Sequence, residues 1–162
     1  MRELPHYQLS PKIKRVWRLS DAIWLTLTFL LCAIIFVLVY ASTGEFWSLM
    51  VALTFLLFYV VGLIIFLVVL PPIRYMRWRY ELSVDFLDIA RGILWKKRFI
   101  IPFIRVQHTD TQQGPILRAF GLSSVTISTA AGNHSIPGLD SETAELLRDR
   151  AAELARIAQE DV

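Results

Sequence analysis

The sequence predicts a two-helix transmembrane hairpin, followed by a small antiparallel β-domain that a C-terminal α-helix closes. The 162-residue chain is 55% hydrophobic and has a mean hydropathy of +0.50, above the usual composition of a soluble globular protein. Its first half contains two long uncharged runs, and its second half contains short alternating runs separated by turn residues. We therefore expect lipid around the first half and water around the second.

The two uncharged runs, 22–44 and 46–73, are each long enough to cross a membrane. About 20 apolar residues span the hydrocarbon, and a charge at mid-membrane costs roughly 2.5–3.5 kcal/mol, so the absence of charge decides the assignment. Pro71 and Pro72 predict the end of the second span, because proline interrupts helical hydrogen bonding. The predicted parts are an N-terminal segment (1–21), a transmembrane hairpin (22–73, with spans at about 22–43 and 46–72) and a soluble domain (74–162).

Basic residues flank the hairpin on one side only. The basic residues that precede the first span are Arg2, Lys12, Lys14, Arg15 and Arg18, and those that follow the second are Arg74, Arg77 and Arg79. Glu45 is the only charge at the predicted hairpin tip. Lysine and arginine concentrate on the cytoplasmic side of membrane proteins, so we expect both termini in the cytoplasm. Neither span carries an acidic or basic side chain, which argues against a proton relay or an ion pathway within the hairpin.

The soluble part begins with strand-like runs and ends with a helical pattern. Asp140 or Ser141 is expected to cap this closing helix. The predicted apolar stripe of the helix consists of Ala144, Leu147, Ala151, Leu154 and Ala158. The strand-like runs, separated by Gly, Pro, Asp and Asn, read RYELSV, FLDIARGILWK, RFIIPF, RVQHTDTQ, SSVTIST and HSIPGL.

A polar stretch in the middle of the soluble part, RVQHTDTQQGPILRAFG at Arg105–Gly121, raises the question of a catalytic loop. Gly114 allows the chain to turn, Pro115 suits a first helical position, and Gly121 fits the left-handed end of a short helix. Most of the stretch is therefore explained as a corner between a strand and a short helix.

The corner also belongs to a longer pattern that resembles a known family. The pattern has an Ile-Pro, an Arg-Val-Gln, a Gly-Pro with an arginine three residues after the proline, a Phe-Gly-Leu and a Pro-Gly-Leu. It is matched at Pro102, Arg105–Gln107, Gly114, Pro115, Arg118, Phe120–Leu122 and Pro137–Leu139. In this order the motifs resemble those of the YdbS-like bacterial pleckstrin-homology (PH) domain membrane proteins. His108 departs from that family, in which an acidic residue is common at this position.

The resemblance implies a PH-like fold, a bent antiparallel sheet closed at one end by the C-terminal helix, in the plasma membrane of a prokaryote. It implies neither an enzyme activity nor a cofactor, and relatives are taken to act as binding or assembly modules. Whether Arg118 and Gln107 hold the corner together or present it to a partner stays open. The fold-motif residues that become candidates for interaction are Gln107, Gly114, Pro115, Arg118, Phe120, Gly121, Pro137 and Gly138.

Two functions of different kinds follow. The first is a membrane-anchored interaction or assembly module that binds a related PH-domain membrane protein or a second copy of itself. The simpler alternative is an anchor alone.

The second is binding of anionic lipid headgroups, to which each basic residue contributes on the order of 1 kcal/mol. The alternative is a basic hairpin that only follows the positive-inside bias. The candidate lipid contacts are Arg91, Lys96, Lys97, Arg98 and Arg105.

A hydrolytic enzyme is the remote alternative. The chain has three histidines, His6, His108 and His134, and no HExxH, P-loop, GxSxG or CxxC motif. His108 with Asp110, or His134 with Ser135, are more typical of surface neighbours on a strand than of parts of a catalytic triad. We therefore predict no catalytic, cofactor-binding or metal-binding residue, and no nucleic-acid partner.

Overall fold

The computed structural model describes residues 5–43 and 46–160, so the predicted hairpin turn at Gly44 and Glu45 lies outside the described residues. The chain divides into two compact units. The apolar unit covers 17–72. The other unit, here called the β-domain, unites the described residues up to Val16 with those from Ile73 onward.

Helix α1 covers Ile13–Thr43 and helix α2 covers Phe46–Ile64. The two helices of the apolar unit run antiparallel. The Phe29 ring stacks on Tyr59 at 4.1 Å between centroids, and the Thr26 hydroxyl lies 3.2 Å from the Tyr59 hydroxyl. Helix α1 begins before the predicted start of the span, because a helix needs only its backbone hydrogen bonds whereas a span also needs apolar side chains.

The second helical segment does not end at its two prolines. A π-helical turn, Ile65–Val69, connects α2 to helix α3, Leu70–Arg77, so the backbone stays helical through Pro71 and Pro72. Proline lacks an amide donor and its ring crowds the carbonyl four residues earlier, and the wider π turn lies at those carbonyls. The segments long and apolar enough to cross a membrane are Ile13–Ser42 and Leu49–Arg77.

The β-domain contains two three-stranded antiparallel sheets and the predicted closing helix, which confirms the expected PH-like arrangement. Within each sheet the strands follow chain order. The first sheet consists of β1 (Arg79–Leu82), β2 (Phe86–Arg91) and β3 (Lys97–Pro102), and the second of β4 (Val106–Gln112), β5 (Leu122–Thr129) and β6 (Gly132–Asp140). The remaining elements are a 3-10 turn (Phe103–Arg105), helix α4 (Pro115–Ala119) and helix α5 (Ser141–Glu160).

Helix α5 packs mainly on the second sheet and on the 3-10 turn. Strand β5 shows the period of two that its sequence predicts, since Val125 and Ile127 are fully buried whereas Ser124 and Thr126 are half-buried. The buried face of α5 consists of Ala144, Leu147, Ala151, Leu154 and Ala155, so Ala155 joins the predicted stripe and Ala158 lies at its half-buried edge.

The N-terminal segment is an integral part of the β-domain. Tyr7 and Tyr80 form an isolated antiparallel bridge in which each amide donates to the other carbonyl at 3.0 Å. Leu9 and Ile13 are almost completely buried. Because the chain before the apolar hairpin and the chain after it fold into one unit, both lie on the same side of any membrane that the hairpin crosses.

Candidate anionic-ligand site

A cavity of about 430 Å³ lies at the end of the first sheet, where the chain arrives from helix α3. Its volume falls in the range of small-molecule pockets. We call it the basic pocket, because six of its nine lining residues are basic and none is acidic. The lining consists of Met76, Arg77, Arg79, Ala90, Arg91, Gly92, Lys96, Lys97 and Arg98.

The strand register explains which of these cations are neighbours. Arg91 of β2 lies directly opposite Lys97 of β3 on one face of the sheet, whereas Ala90 lies between Arg79 of β1 and Arg98 of β3 on the other face. Like charges directly opposite each other on neighbouring strands destabilise a sheet. The basic pocket thus brings together cations whose mutual repulsion a bound anion would relieve.

Arg98 differs from the other cations in the pocket because it has a partner within the first sheet. Its Nη2 donates to Asp88 Oδ2 at 2.6 Å, and its Nε lies 3.0 Å from both oxygens of the same carboxylate. Asp88 is only 3% exposed. The hydrogen bond to Asp88 raises the pKa of Arg98, with the charge of Asp88 acting in the same direction. Arg98 therefore builds the wall of the pocket, while its charge is balanced by Asp88.

The other lining cations have no ion pair within the described residues. Sequence reasoning had placed Arg77 and Arg79 only in the basic flank of the second span, and the one signal for their role was their position directly after it. Conversely, Arg105 is exposed in the 3-10 turn beyond the far end of β3 and does not line the pocket. The structure thus gathers four of the five candidate lipid contacts: Arg91, Lys96, Lys97 and Arg98.

An aromatic contact connects the basic pocket to the second sheet. The Arg91 guanidinium lies over the Phe99 ring, 5.2 Å from its centroid, and the Phe99 ring packs against His134 of β6 at 5.0 Å. Burial lowers the pKa of His134, and the positive charge of Arg91 lowers it further. The positive charge of Arg91 in the pocket thus contributes to the lowered pKa of His134.

The Gly-Pro corner is held by side chains that sequence reasoning missed. Gln113 Nε2 donates to the Leu122 carbonyl at 2.9 Å and to Ser141 Oγ at 3.2 Å, and Ser141 Oγ donates to the Gly121 carbonyl at 3.2 Å. Ser123 Oγ lies 3.1 Å from Ser141 Oγ. The only sequence signal was the position of Gln113 beside the turn and of Ser141 at the start of α5.

Arg118 and Gln107 are both exposed, and neither side chain has a hydrogen bond or ion pair within the described part of the chain. The register between β4 and β5 shifts around Gln107, so this residue occupies a β-bulge. The turn itself forms as predicted: Gly114 precedes α4, Pro115 is at its start, Phe120 caps its end, and Gly121 is left-handed with φ +66°.

The Pro-Gly-Leu motif forms a second irregularity, in strand β6. The pairing with β5 shifts between Ser123 and Val125, opposite Pro137 and Gly138. Gly138 has φ +67°, and its carbonyl accepts a hydrogen bond from the Ser10 amide at 3.0 Å. A Cβ at this glycine would lie 2.7 Å from Ile13 Cβ, which is too close. The motif thus provides the seat for the N-terminal segment.

These features can be compared with known proteins. A family model for the bacterial PH domain matches residues 20–155. The chain is also 41% identical over 163 residues to the UPF0699 transmembrane protein YdbS of Bacillus subtilis (strain 168), with 100% of both chains covered. The chain belongs to the bacterial PH domain family. The YdbS-like resemblance is thereby confirmed, and no solved structure matches the chain.

Family membership, the transmembrane relative and the two apolar helical segments together make this member of the bacterial PH domain family a membrane protein. Of the histidine pairs considered for hydrolysis, His134 and Ser135 are both half-buried on β6. In the other pair, His108 Nε2 is 2.8 Å from Asp110 Oδ1, with the His108 side chain exposed and that of Asp110 half-buried. Among the described residues, no three His, Cys, Asp or Glu side chains are arranged to hold a metal ion.

Proposed function

We propose that this protein is a non-enzymatic, membrane-anchored PH-like module whose basic pocket binds the phosphate of an anionic lipid headgroup. The observation that carries the proposal is the pairing of Arg91 opposite Lys97 in a pocket without an acidic lining residue. Arginine side chains offer several donors to one phosphate, and a bound phosphate would offset the repulsion between the two cations.

The position of the pocket along the chain favours a lipid over a soluble anion. Arg77 belongs both to the pocket lining and to helix α3, which continues the second apolar segment beyond Pro72. The basic residues on both flanks of the hairpin favour the cytoplasmic leaflet of a prokaryotic plasma membrane, with both termini in the cytoplasm. Anionic lipids of that leaflet attract each nearby Lys or Arg by about 1 kcal/mol.

The test compares two charge-matched triple variants of the full-length protein in detergent. In the first, Arg91, Lys96 and Lys97 are changed to Gln, and Arg98 is retained because it pairs with Asp88. In the control, three arginines of helix α5 are changed to Gln: the exposed Arg150 and Arg156 and the half-buried Arg148. Native mass spectrometry with added phosphatidylglycerol or phosphatidylcholine measures the affinity for each lipid.

The pocket variant should lose roughly a hundredfold in affinity for phosphatidylglycerol, because three contributions of about 1 kcal/mol are removed. Its affinity for phosphatidylcholine and that of the control for either lipid should change little. Equal losses of affinity in both variants would show that net charge, and not the pocket, determines lipid binding. Unchanged affinity of the pocket variant for phosphatidylglycerol would refute the proposal.

A second candidate function is binding of a related PH-domain membrane protein or of another copy of this chain. A shallow groove of about 290 Å³ separates the N-terminal segment from helix α5, and it includes Tyr7, Leu82 and Leu146. Leu146 is 66% exposed and Tyr7 is 59% exposed, which is unusual for side chains beside a groove. The groove therefore offers an apolar surface for a protein partner.

Leu146→Asp should abolish this association, whereas Ile157→Asp on the same helix serves as the control because Ile157 is also exposed. The mass of the detergent-solubilised complex, with crosslinking to co-purifying proteins, distinguishes a dimer, a heterologous complex and a monomer. A monomer in the unmodified protein would leave lipid binding as the only proposed function.

A further inference from the structure

The turn between β2 and β3 presents two large apolar side chains to solvent. Leu94 is 90% exposed and Trp95 is 81% exposed, the highest values among the large apolar side chains in the described part of the chain. Even the side chains of the apolar helices are less exposed. Large apolar side chains exposed together on a folded domain mark a surface that contacts another molecule or a membrane.

The shape of this turn is built into its backbone. Gly92 has φ +119°, a conformation that other residues rarely adopt, and a Cβ at this position would collide with the Trp95 carbonyl group. The close approach of Gly92 to Trp95 folds the chain tightly beneath the two apolar side chains. We call residues 93–95 the apolar tip.

Cations surround the apolar tip on both strands. Arg91 precedes it, and Lys96 and Lys97 follow it, and all three also line the basic pocket. The tip lies at the end of the first sheet where β1 begins, since Arg79 pairs with Ala90 near the end of β2. Apolar side chains surrounded by cations are complementary to an anionic bilayer, in which a layer of phosphates covers the hydrocarbon.

We propose that the apolar tip inserts Leu94 and Trp95 into the interface of the same lipid leaflet that supplies the headgroup for the basic pocket. The inference deepens the proposed function and rests on it, since both require this end of the first sheet to face lipid. Trp95 suits the headgroup boundary, because tryptophan combines an apolar ring with an N–H donor. Arg91, Lys96 and Lys97 then lie at the level of the phosphates.

The experiment uses the full-length protein in nanodiscs with one labelled cysteine. The single native cysteine is removed by Cys32→Ala, and Leu94→Cys then carries an environment-sensitive fluorophore. The matched control is Val84→Cys, because Val84 is 77% exposed in the turn at the opposite end of the same sheet. Lipids with a doxyl group near the headgroup quench a label in the bilayer, and iodide quenches a label in water.

The label at residue 94 should be quenched several-fold more strongly by doxyl lipid than the label at residue 84, and less strongly by iodide. Both positions are highly exposed, so neither substitution should impair folding. Equal access of iodide to both labels would overturn the inference. Protection of residue 94 from both quenchers would also overturn it, because a protein partner and not lipid would then cover the tip.

Lipid composition separates this inference from the proposed headgroup site. Insertion of the tip in nanodiscs of phosphatidylcholine alone, with no preference for phosphatidylglycerol in mass spectrometry, would support the tip and refute the basic pocket. Retained preference for phosphatidylglycerol without doxyl quenching would support the pocket and refute the tip. We expect both signals, and doxyl quenching at residue 94 that is stronger in nanodiscs containing phosphatidylglycerol.

Discussion

The polar groups at the corner of the second sheet bond to other groups of the chain. The basic end of the first sheet instead presents cations and an exposed apolar tip. At the corner of the second sheet, Gln113 and Ser141 bond to each other and to backbone carbonyls, and at its bulge Gly138 receives Ile13. At the basic end of the first sheet, Lys96 and Lys97 have no carboxylate partner within the described residues.

This difference separates the motifs that serve the fold from the residues that we propose to bind a ligand. The Gly-Pro and Pro-Gly motifs identify the family, yet the structure uses them for turning, capping and packing. The basic turn carries no such family motif, but it contains Lys96 and Lys97, for which the described residues supply no carboxylate partner. Substitutions in the second sheet should therefore change stability, and substitutions at the basic end of the first should change lipid interaction.

The largest loss of stability is expected from Gly138→Ala. The left-handed backbone costs alanine about 1–2 kcal/mol, and the contact with Ile13 adds overpacking of about 1–3 kcal/mol. Gly121→Ala is the matched control, because its φ of +66° is nearly the same and no atom lies within 4 Å of its added Cβ. Urea unfolding in detergent measures both, and equal losses would contradict a role for the Ile13 contact.

A smaller loss is expected from Arg98→Ala, the one substitution at the basic end that should affect folding. It leaves the buried Asp88 carboxylate without the guanidinium that satisfies both of its oxygens. Arg98→Met combined with Asp88→Val should recover most of the loss, because no buried charge remains. Thermal unfolding of the single and double variants decides this; no recovery in the double variant would show that packing rather than the ion pair is responsible.

Gln113→Ala should cost about 1 kcal/mol, since it removes hydrogen bonds to the Leu122 carbonyl and to Ser141. Arg118→Ala and Gln107→Ala should each stay within about 0.5 kcal/mol of the unmodified protein, because both side chains are exposed. The three unfolding free energies come from one urea series. A larger loss of stability in Arg118→Ala than in Gln113→Ala would contradict the assignment, because Arg118 and not Gln113 would then hold the corner.

The smallest effect is a pH dependence through His134. Burial and Arg91 lower its pKa in the folded protein below the ordinary value of 6.5, so the unfolded chain takes up the proton first as the pH falls. Stability should therefore decline below about pH 6.5, until the pH passes the lowered pKa of the folded state. His134→Gln should remove this decline, and phosphatidylglycerol should weaken it by neutralising Arg91. An unchanged pH profile in the variant would contradict this assignment.

Most of the fold could be predicted because its signals are local. Uncharged runs, alternating strands and the Gly114-Pro115 turn each act within a few residues. The helix through Pro71 and Pro72 escaped prediction because a π turn accommodates them. The seat of the N-terminal segment also escaped, because it depends on a contact between Ile13 and Gly138 that no local pattern indicates.

The candidate site was predictable to the extent that it is one hairpin. Lys96, Lys97 and Arg98 adjoin in the sequence, and Arg91 faces them across the turn. The pairing of Asp88 with Arg98 depends on the strand register, so the sequence alone did not separate a structural arginine from the pocket cations. The choice of Gln113 over Arg118 at the corner likewise depends on which side chain faces the start of helix α5.

The seat of the N-terminal segment also sets an order of events during synthesis. Lys12 pairs with Asp140, which lies 128 residues later in the chain. The segment leaves the ribosome before both apolar helices, yet its burial must wait for strand β6, which emerges after them. The β-domain therefore completes its fold only after both apolar helices have been synthesised. A nascent chain that stops before β6 lacks Gly138, the residue against which Ile13 packs.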